Sequence, residues 1–553
     1  MTKAKPIEAS NFIEKFINED IENGVYDVIH TRFPPEPNGF LHIGHVKAVM
    51  IDFGTAKKYQ GMCNLRFDDT NPDAEDDEFV ESIKNDIHWL GFDWQDRLYF
   101  CSDYFQQIYE IAVNMIKNGD AYVDHCSKEE IRENRGSFTK PGIDSPYRNR
   151  SVEENLMLFN KMKNGEFGEG QCVLRAKIDM QSPNLNMRDP VMYRISYTTH
   201  HRTGDKWCIY PMYDFSHPLG DAFEGVSHSL CSKEYEDHRP LYNWFVNHSG
   251  VEHKPRQIEF ARINVTNALT SKRKIKQLTE LGLVEDWTDP RLVTVSGLRR
   301  RGYTANALLN FVKAAGVAKA DSVVDFSMLE YEIREDLKQK SPCVMAVLRP
   351  LKVTITNYPE SVTEQLEGDN NPKNQELGKR QISFGKNIYI DRKDFTENPP
   401  KKYKRLAPGL EVRLKHAYFI KCNEVVKDPH TGEVIELLCT YDKQTKSGSG
   451  FKDRKPNGTI HWVHADSCQE IEVRIFNNLF KEGQENNSNL HEAINPESRI
   501  VLPNACIEKG YKDININDRY QFIRDGYYVI EKNDNNKIIF NKIVSLKSNW
   551  KKK

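Results

Sequence analysis

Two histidines and one lysine carry the first chemistry that this sequence offers. His42 and His45 stand three residues apart in PPEPNGFLHIGH (34–45), with Gly44 between them, just after the extended apolar run YDVIHTRF. That spacing sets both rings on one face of a first helical turn. Backbone N–H groups and the helix dipole already attract anions there, and Gly44 leaves room for a flat ligand to lie against the backbone. Imidazole N–H groups so placed suit a phosphate whose charge grows in a transition state. Two ordinary helix-face histidines, or a metal pair, fit the bare spacing as well. No G-x-G-x-x-G and no Walker A follows the first strand, so an anion site has to be built differently. Downstream, Ser271, Lys272 and Arg273 in LTSKRKIK form a polar, basic connection. A flexible ammonium can follow the charge on a reacting phosphate and leave with the product. A merely solvated face would read the same way.

These residues need elements to position them. Ile43, Val46, Val49, Met50 and Phe53 recur at helical spacing until Gly61, and NLRFDD predicts the next strand. Phe79, Ile83, Ile87 and Leu90 predict a second amphipathic helix, and SDYFQQIYEIAVNMIKNG a third, with Ser102 as its N-cap and Gly119 just past its end. Strand, helix, strand is the pattern of a parallel sheet, whose carboxyl edge is where ligands bind in open α/β folds. From about Pro342 the texture changes to β-branched and aromatic runs separated by turn residues, such as VMAVLRPLKVTITNY, GLEVRLKHAYFIKCNEVVKD and YQFIRDGYYVIEKND. That half is predicted to be all-β, in barrels or sandwiches. A helical, basic region from about Thr266 to Lys340 lies between the two halves. There is no internal repeat, and no low-complexity tract beyond the terminal lysines 551–553.

Composition sets the outer limits. A chain of 553 residues implies two to four domains. With a formal net charge of −2, any nucleic-acid surface must be a local patch. No apolar run approaches the roughly 18 to 20 residues of a membrane span, and the first residues lack a signal-peptide core, so no membrane and a cytoplasmic location are expected. Eleven cysteines without a C-x-x-C pair suggest neither a zinc ribbon nor a disulfide framework, and they are expected to be mostly reduced and buried.

Taken together, the proline-flanked HIGH helix start and the LTSKRK segment resemble the two signatures of class I aminoacyl-tRNA synthetases, HIGH and KMSKS. Longer blocks narrow the likeness: TRFPPEPNGFLHIGH, NLRFDDTNP, SPYRNRSVEENL, LRAKIDM, MRDPVMYRI, KWCIYPMYDFSHPLGDAFEGVSHSLC and YKRLAPGLEVRL look like the glutaminyl-tRNA synthetase family along nearly the whole chain. The resemblance implies a multidomain protein, with a Rossmann-type catalytic domain over 1–265 that carries an inserted acceptor-stem-binding domain at about 103–212. A helical connecting subdomain with the KMSKS-like loop follows over 266–340, then two β-barrel anticodon-binding domains over 341–553. The implied reaction joins L-glutamine to ATP, giving glutaminyl-adenylate and pyrophosphate. The 2′-hydroxyl of the terminal adenosine of tRNA(Gln) then takes the aminoacyl group and AMP leaves. The family needs tRNA bound before it activates the amino acid.

Roles follow the matching positions. His42, His45 and Lys272 match the catalytic signatures. Glu36, Pro37, Asn38, His42, Ile43, Gly44, His45, Val46, Lys47 and Ala48, with Ser232, Arg262, Ile263, Thr270, Ser271 and Lys272, match the ATP-facing segments. Arg32, Asp68, Tyr213, Cys231 and Gln257 match the glutamine pocket. Asp68 suits a cationic amine, although a turn acid in DDTNP would read alike, and Tyr213 would also serve as a core aromatic. Phe138 and Asp237 match the acceptor-stem contacts, and Lys402, Lys404, Arg405, Arg413 and Gln521 the anticodon contacts. A solvated barrel face would carry similar cations. Magnesium is expected on the ATP phosphates with no protein-held metal, and a monomer is expected.

The nearest rival is the glutamyl-type synthetase, in which an arginine follows the H-x-L of this segment and pairs with the substrate carboxylate. Here the segment is SHSLCSKEY, with Cys231 at that place, which favours a neutral amide, although a small buried hydrophobe would also look so. The chain departs from the family's pattern at Thr270, where methionine is usual, at Cys343, where an anticodon-reading arginine is common, and at Lys402, where glutamine is often found. A small-molecule nucleotidyltransferase would lack the long all-β half, and a non-catalytic RNA-binding relative would have lost one of His42, His45 or Lys272.

Overall fold

The computed structural model describes residues 3–73, 75–485, 487–509, 514–534 and 537–547; the terminal lysine tract, 551–553, lies outside them. Strands His30–Phe33, Met62–Phe67 and Leu98–Phe100 form a parallel sheet in that order. A second parallel pair, His228–Ser232 with Arg256–Phe260, joins the far edge of the first strand through Ser227 N to His30 O at 2.8 Å. The helix Ile43–Lys58 connects the first two strands and buries Ile43, Val46, Val49 and Phe53. Each such side chain contributes about 1.5–3 kcal/mol to holding the helix on the sheet. The tight turn before Met62 requires glycine, because a Cβ on Gly61 would lie 1.9 Å from the Ile29 carbonyl oxygen.

Between Leu98–Phe100 and His228–Ser232 the chain builds a separate antiparallel sheet of Ala121–Asp124, Val173–Ala176, Val191–Ile195 and Ile209–Pro211. Helices Phe105–Lys117 and Val152–Lys163 cover it, and Phe105, Ile108, Phe159, Leu174 and Tyr193 form its own core. Ser102 is not the N-cap of the helix that follows it. Cys101–Tyr104 is a 3₁₀ turn, Tyr104 precedes the helix without a side-chain cap, and the Ser102 hydroxyl is engaged instead by Asp69.

Among the described residues the all-β half contains two seven-stranded sheets and a separate two-stranded one. One ends on Cys343–Val344 at one side and Ala346–Val347 at the other. Only Met345 separates these strands, so the sheet closes on itself. The second sheet closes in the same way through Thr459–Ile460 and Trp462–His464. Closure removes the exposed strand edges on which another chain could pair. Two strand pairings escape the pattern reading. Glu364–Asp369 pairs with Lys379–Phe384 despite its acidic, glycine-containing sequence. Arg499–Ile507 accommodates Pro503 where the register against Gln469–Phe476 shifts between Ile471 and Val473. Tyr527, Val529, Ile543 and Val544 of the C-terminal sheet share one apolar cluster with helices Ala305–Ala315 and Phe326–Leu337 and with Val46 and Phe53.

All eleven cysteines are free thiols, nine of them buried. Among the described residues no helix is long and apolar enough to cross a membrane.

Candidate active site

His42 is the N-cap of the helix Ile43–Lys58. Its Nδ1 accepts from Gly44 N at 3.1 Å, and His45 Nδ1 accepts from His42 N at 3.0 Å. This reciprocal box occupies both Nδ1 atoms, so each neutral ring carries its proton on Nε2. The ring centroids lie 3.8 Å apart. Burial, then the charges of Lys272 and Arg262, push His42 down to about 4. His45 is held well below the usual histidine range by burial and the same neighbours. The site therefore offers two neutral N–H donors beside two cations. Gly44 has a different reason from a flat ligand: a Cβ there would sit 2.9 Å from His42 Cε1, so the glycine makes room for the capping ring itself.

LTSKRKIK is less a connection than a second helix start. Ser271 caps the helix Lys272–Glu280 by accepting from Lys274 N, and Lys272 is its first residue. The Lys272 ammonium donates to Asn38 Oδ1, and burial lowers its pKa. Its stem packs over Gly39, where a Cβ would lie 3.0 Å from Lys272 Cδ. Thr270 and Ser271 are exposed and Glu36 half-buried. Arg262, exposed, pairs with Glu234, whose Oε1 also accepts from Ser232 Oγ at 2.8 Å. Three of the ATP-facing positions turn elsewhere. Ile43 and Val46 are core residues, and Lys47 is buried with Nζ donating to the Ala261 carbonyl at 2.6 Å. Pro37 and Ile263 are buried, and Ala48 is half-buried.

The amino-acid residues gather at the carboxyl edge of the sheet. Arg32 is fully buried: Nε donates to Asp221 Oδ1 at 3.0 Å, Nη1 to Leu230 O at 2.9 Å, and Nη2 to Ser229 Oγ at 2.7 Å. Cys231 Sγ lies 3.4 Å from Arg32 Nη2 and 3.8 Å from His217 Nε2. Burial pushes this thiol up, but Arg32 and His217 outweigh it and hold it below the usual value. Tyr213 opens the helix Tyr213–Phe223 and stacks on His217 at 4.8 Å. Burial lowers His217, but Asp221, Asp68 and Cys231 together outweigh it and raise the ring to about 9. Asp68 Oδ1 accepts from Arg66 Nε at 3.4 Å, while its Oδ2 is buried without a hydrogen-bond partner. Gln257 is buried, with Nε2 donating to Glu259 Oε1 at 2.9 Å and to the Tyr235 carbonyl at 3.3 Å.

His217, Asp221, Arg66 and Tyr235 were not among the residues picked from sequence. The one local signal was His217 four residues after Tyr213, on the same helix face. Asp69, His200 and His201 bring potential metal-ligand atoms within 4.8 Å of one another. His200 spends both nitrogens on backbone groups, Nε2 on Asp69 O and Nδ1 on Arg202 N and Thr203 N, which satisfies that ring without a cation.

The RNA-facing candidates are spread over several elements, Asp237 on the same short helix, Lys233–His238, as Tyr235. Phe138 is 83% exposed on the loop after Gly136. Asp237 is exposed, and its carbonyl accepts from Asn184 and Asn186 side chains. Lys402 and Lys404 are exposed. Arg405 is tied to Asp394 and Lys393 O, and Arg413 lies 4.2 Å over the Phe419 ring with Nη1 on Thr445 O. Gln521 and Cys343 line a cavity of about 460 Å³ together with Lys373, Lys415 and His416, which the sequence reading did not pick.

Comparison with known proteins accords with this geometry. Residues 28–339 match the family described as "tRNA synthetases class I (E and Q), catalytic domain". Residues 341–442 and 459–531 match two families each described as "tRNA synthetases class I (E and Q), anti-codon binding domain". The chain is 56% identical over 549 residues to the glutamine–tRNA ligase of Clostridium perfringens, covering 99% of each. It is 54% identical over 547 residues to that of Clostridioides difficile, covering 98% of each. It is 51% identical over 543 residues to that of Bradyrhizobium diazoefficiens, covering 98% of this chain and 97% of the relative.

Proposed function

The chain belongs to the class I tRNA synthetases of the glutamate and glutamine group, and from that premise we propose that it is a glutamine–tRNA ligase working through the residues described above. The observation that carries the choice of amino acid is the state of Arg32. Its charge is met by Asp221, and Cys231 beside it is small. Among the described residues the cations of this pocket, Arg32 and His217, both lie against Asp221, so a neutral side-chain amide is a better fit than a substrate carboxylate. Tyr213 reads that amide with its hydroxyl, and a wrong partner that leaves such a buried group unpaired costs about 1–3 kcal/mol. Asp68 Oδ2, which makes no hydrogen bond and lies 3.8 Å from His217 Nδ1, receives the α-ammonium.

ATP, as its magnesium complex, lies across the two helix starts. The Nε2–H groups of His42 and His45 donate to phosphate oxygens as the glutamine carboxylate attacks the α-phosphorus. Lys272 releases Asn38 and follows the developing charge on pyrophosphate. Positioning and charge stabilisation suffice without a general base. In the second step the terminal 2′-hydroxyl of tRNA(Gln) attacks the adenylate carbonyl and AMP leaves. Phe138 and Asp237 meet the acceptor end. The cations of Lys402, Lys404, Arg405 and Arg413, with Gln521, meet the anticodon loop, where aromatic and cationic groups suit unstacked bases. The domain limits proposed are 1–265 with the insert at about 103–212, then 266–340 and 341–553.

Amino-acid-dependent ATP–pyrophosphate exchange tests this reading. Exchange is expected with glutamine in the presence of tRNA and not with glutamate. Exchange driven by glutamate alone would overturn the assignment of the pocket.

A further inference from the structure

Two adjacent carboxylates follow the strand Met62–Phe67, and they serve opposite sides, as alternate residues of an extended chain do. Asp68 faces the amino-acid pocket. Asp69, fully buried, accepts from Ser102 N at 2.8 Å and from Ser102 Oγ at 2.6 Å, and its carbonyl accepts from His200 Nε2 at 2.8 Å. Arg202 donates to Ser102 Oγ at 2.7 Å and to Asp103 Oδ1 at 2.8 Å, closing the ring of contacts. Ser102 and Asp103 lie where the chain enters the antiparallel insert, and His200 and Arg202 lie in the loop before its last strand. Further ties run the same way: Arg194 Nη2 donates to Asn71 Oδ1 at 2.7 Å, Thr198 Oγ1 to Asp73, and His201 pairs with Asp77 at 2.9 Å. The segment 69–77 is thus the polar seam between the nucleotide-type fold and the insert.

We propose that Asp69 is a positioning residue that couples the placement of the insert to the placement of Asp68, so that RNA seated on the insert sets the amino-acid site. The inference rests on the reading of Asp68 as partner of the α-ammonium. The coupling is mechanical. Consecutive Cα atoms are held about 3.8 Å apart by a planar peptide, so a shift of Asp69 is passed to Asp68 almost undiminished. Asp68 Oδ2 makes no hydrogen bond and faces the His217 ring, with Nδ1 at 3.8 Å, so the peptide link to Asp69 is a principal constraint on its position.

The test measures KM for glutamine and for ATP in tRNA-supported pyrophosphate exchange, with tRNA affinity and melting temperature alongside, for Asp69→Asn, Ser102→Ala, Ser102→Thr and Asp68→Asn. Asp69→Asn and Ser102→Ala are expected to raise the glutamine KM about tenfold, as loss of a charge-assisted buried hydrogen bond allows, while the ATP KM and tRNA affinity stay within about twofold. Ser102→Thr, which keeps the hydroxyl, is expected to restore the glutamine KM. A wild-type glutamine KM in Ser102→Ala, or a parallel rise in both KM values, would overturn the coupling while Asp68→Asn remains impaired. A wild-type glutamine KM in Asp68→Asn would instead remove the reading on which the coupling stands.

Discussion

His42 and His45 each present a neutral Nε2–H, and the reason lies in their own hydrogen bonds. Each Nδ1 is an acceptor within the helix cap, and burial with nearby Lys272 and Arg262 keeps the rings unprotonated. The sign of the pH effect follows from this. The folded value of His42, about 4, lies below the ordinary histidine value of 6.5, so the unfolded chain takes the proton first. Stability is therefore fully present above about pH 6.5 and falls as pH drops toward 4. The activation rate is expected to show no ionisation near 6.5 in a profile from about pH 6 to 8. An acid limb centred near 6.5 that vanishes in His45→Ala would contradict neutral donation. Lys272→Ala and His45→Ala are each expected to slow activation by about 10²-fold or more, measured by single-turnover adenylate formation, because a preorganised charge contact in a buried site is lost. Much of this chemistry is legible in PPEPNGFLHIGH and LTSKRK. The fixed tautomers are not, because they depend on which backbone N–H each ring meets.

Two helix starts do the work at the next scale. The first is held by the His42–His45 box, the second by Ser271, and they meet where Lys272 reaches Asn38. Gly44 is the weak point of the first. Gly44→Ala would press a methyl against His42 Cε1 at 2.9 Å, and activation is expected to fall by about 10²-fold with little loss of melting temperature, since the ring rather than the helix must move. Activity close to wild type in that variant would show that the capping ring has slack. The helices and most strands here follow from local periodicity, which is why they are readable. Ser102 shows the limit: Ser before an apolar run signals an N-cap, yet a buried carboxylate from another strand took its hydroxyl. Arg499–Ile507 is a second case, because the bulge that admits Pro503 is a property of the partner strand's register.

At the scale of the molecule, the catalytic and RNA-binding halves are not loosely tethered. Tyr527, Val529, Ile543 and Val544 complete the apolar cluster that also contains Val46 and Phe53 of the ATP-side helix. A chain ending at Lys340 would expose the faces of Val295–Arg301 and Phe326–Leu337 against which the strands bearing these residues pack. Such a truncation is expected to lose its cooperative thermal transition or to aggregate, read by differential scanning calorimetry. A cooperative melt near that of the full chain would show that the halves are independent. Sequence texture showed that the second half is β-rich. It did not show that 343–347 and 459–464 each close a sheet, nor that Lys415 and His416 share a cavity with Gln521, because such contacts join residues far apart in the chain. The central claim is that a pocket with a neutralised Arg32 and a small Cys231, served by a two-part ATP clamp, charges tRNA with glutamine. Aminoacylation of tRNA with labelled glutamine and, separately, labelled glutamate tests it most directly. Glutamine-tRNA formed by the wild-type chain, and formed about 10²-fold or more slowly by Lys272→Ala, is the predicted result; glutamate-tRNA formed in preference, or glutamine charging at the wild-type rate in Lys272→Ala, would contradict the account.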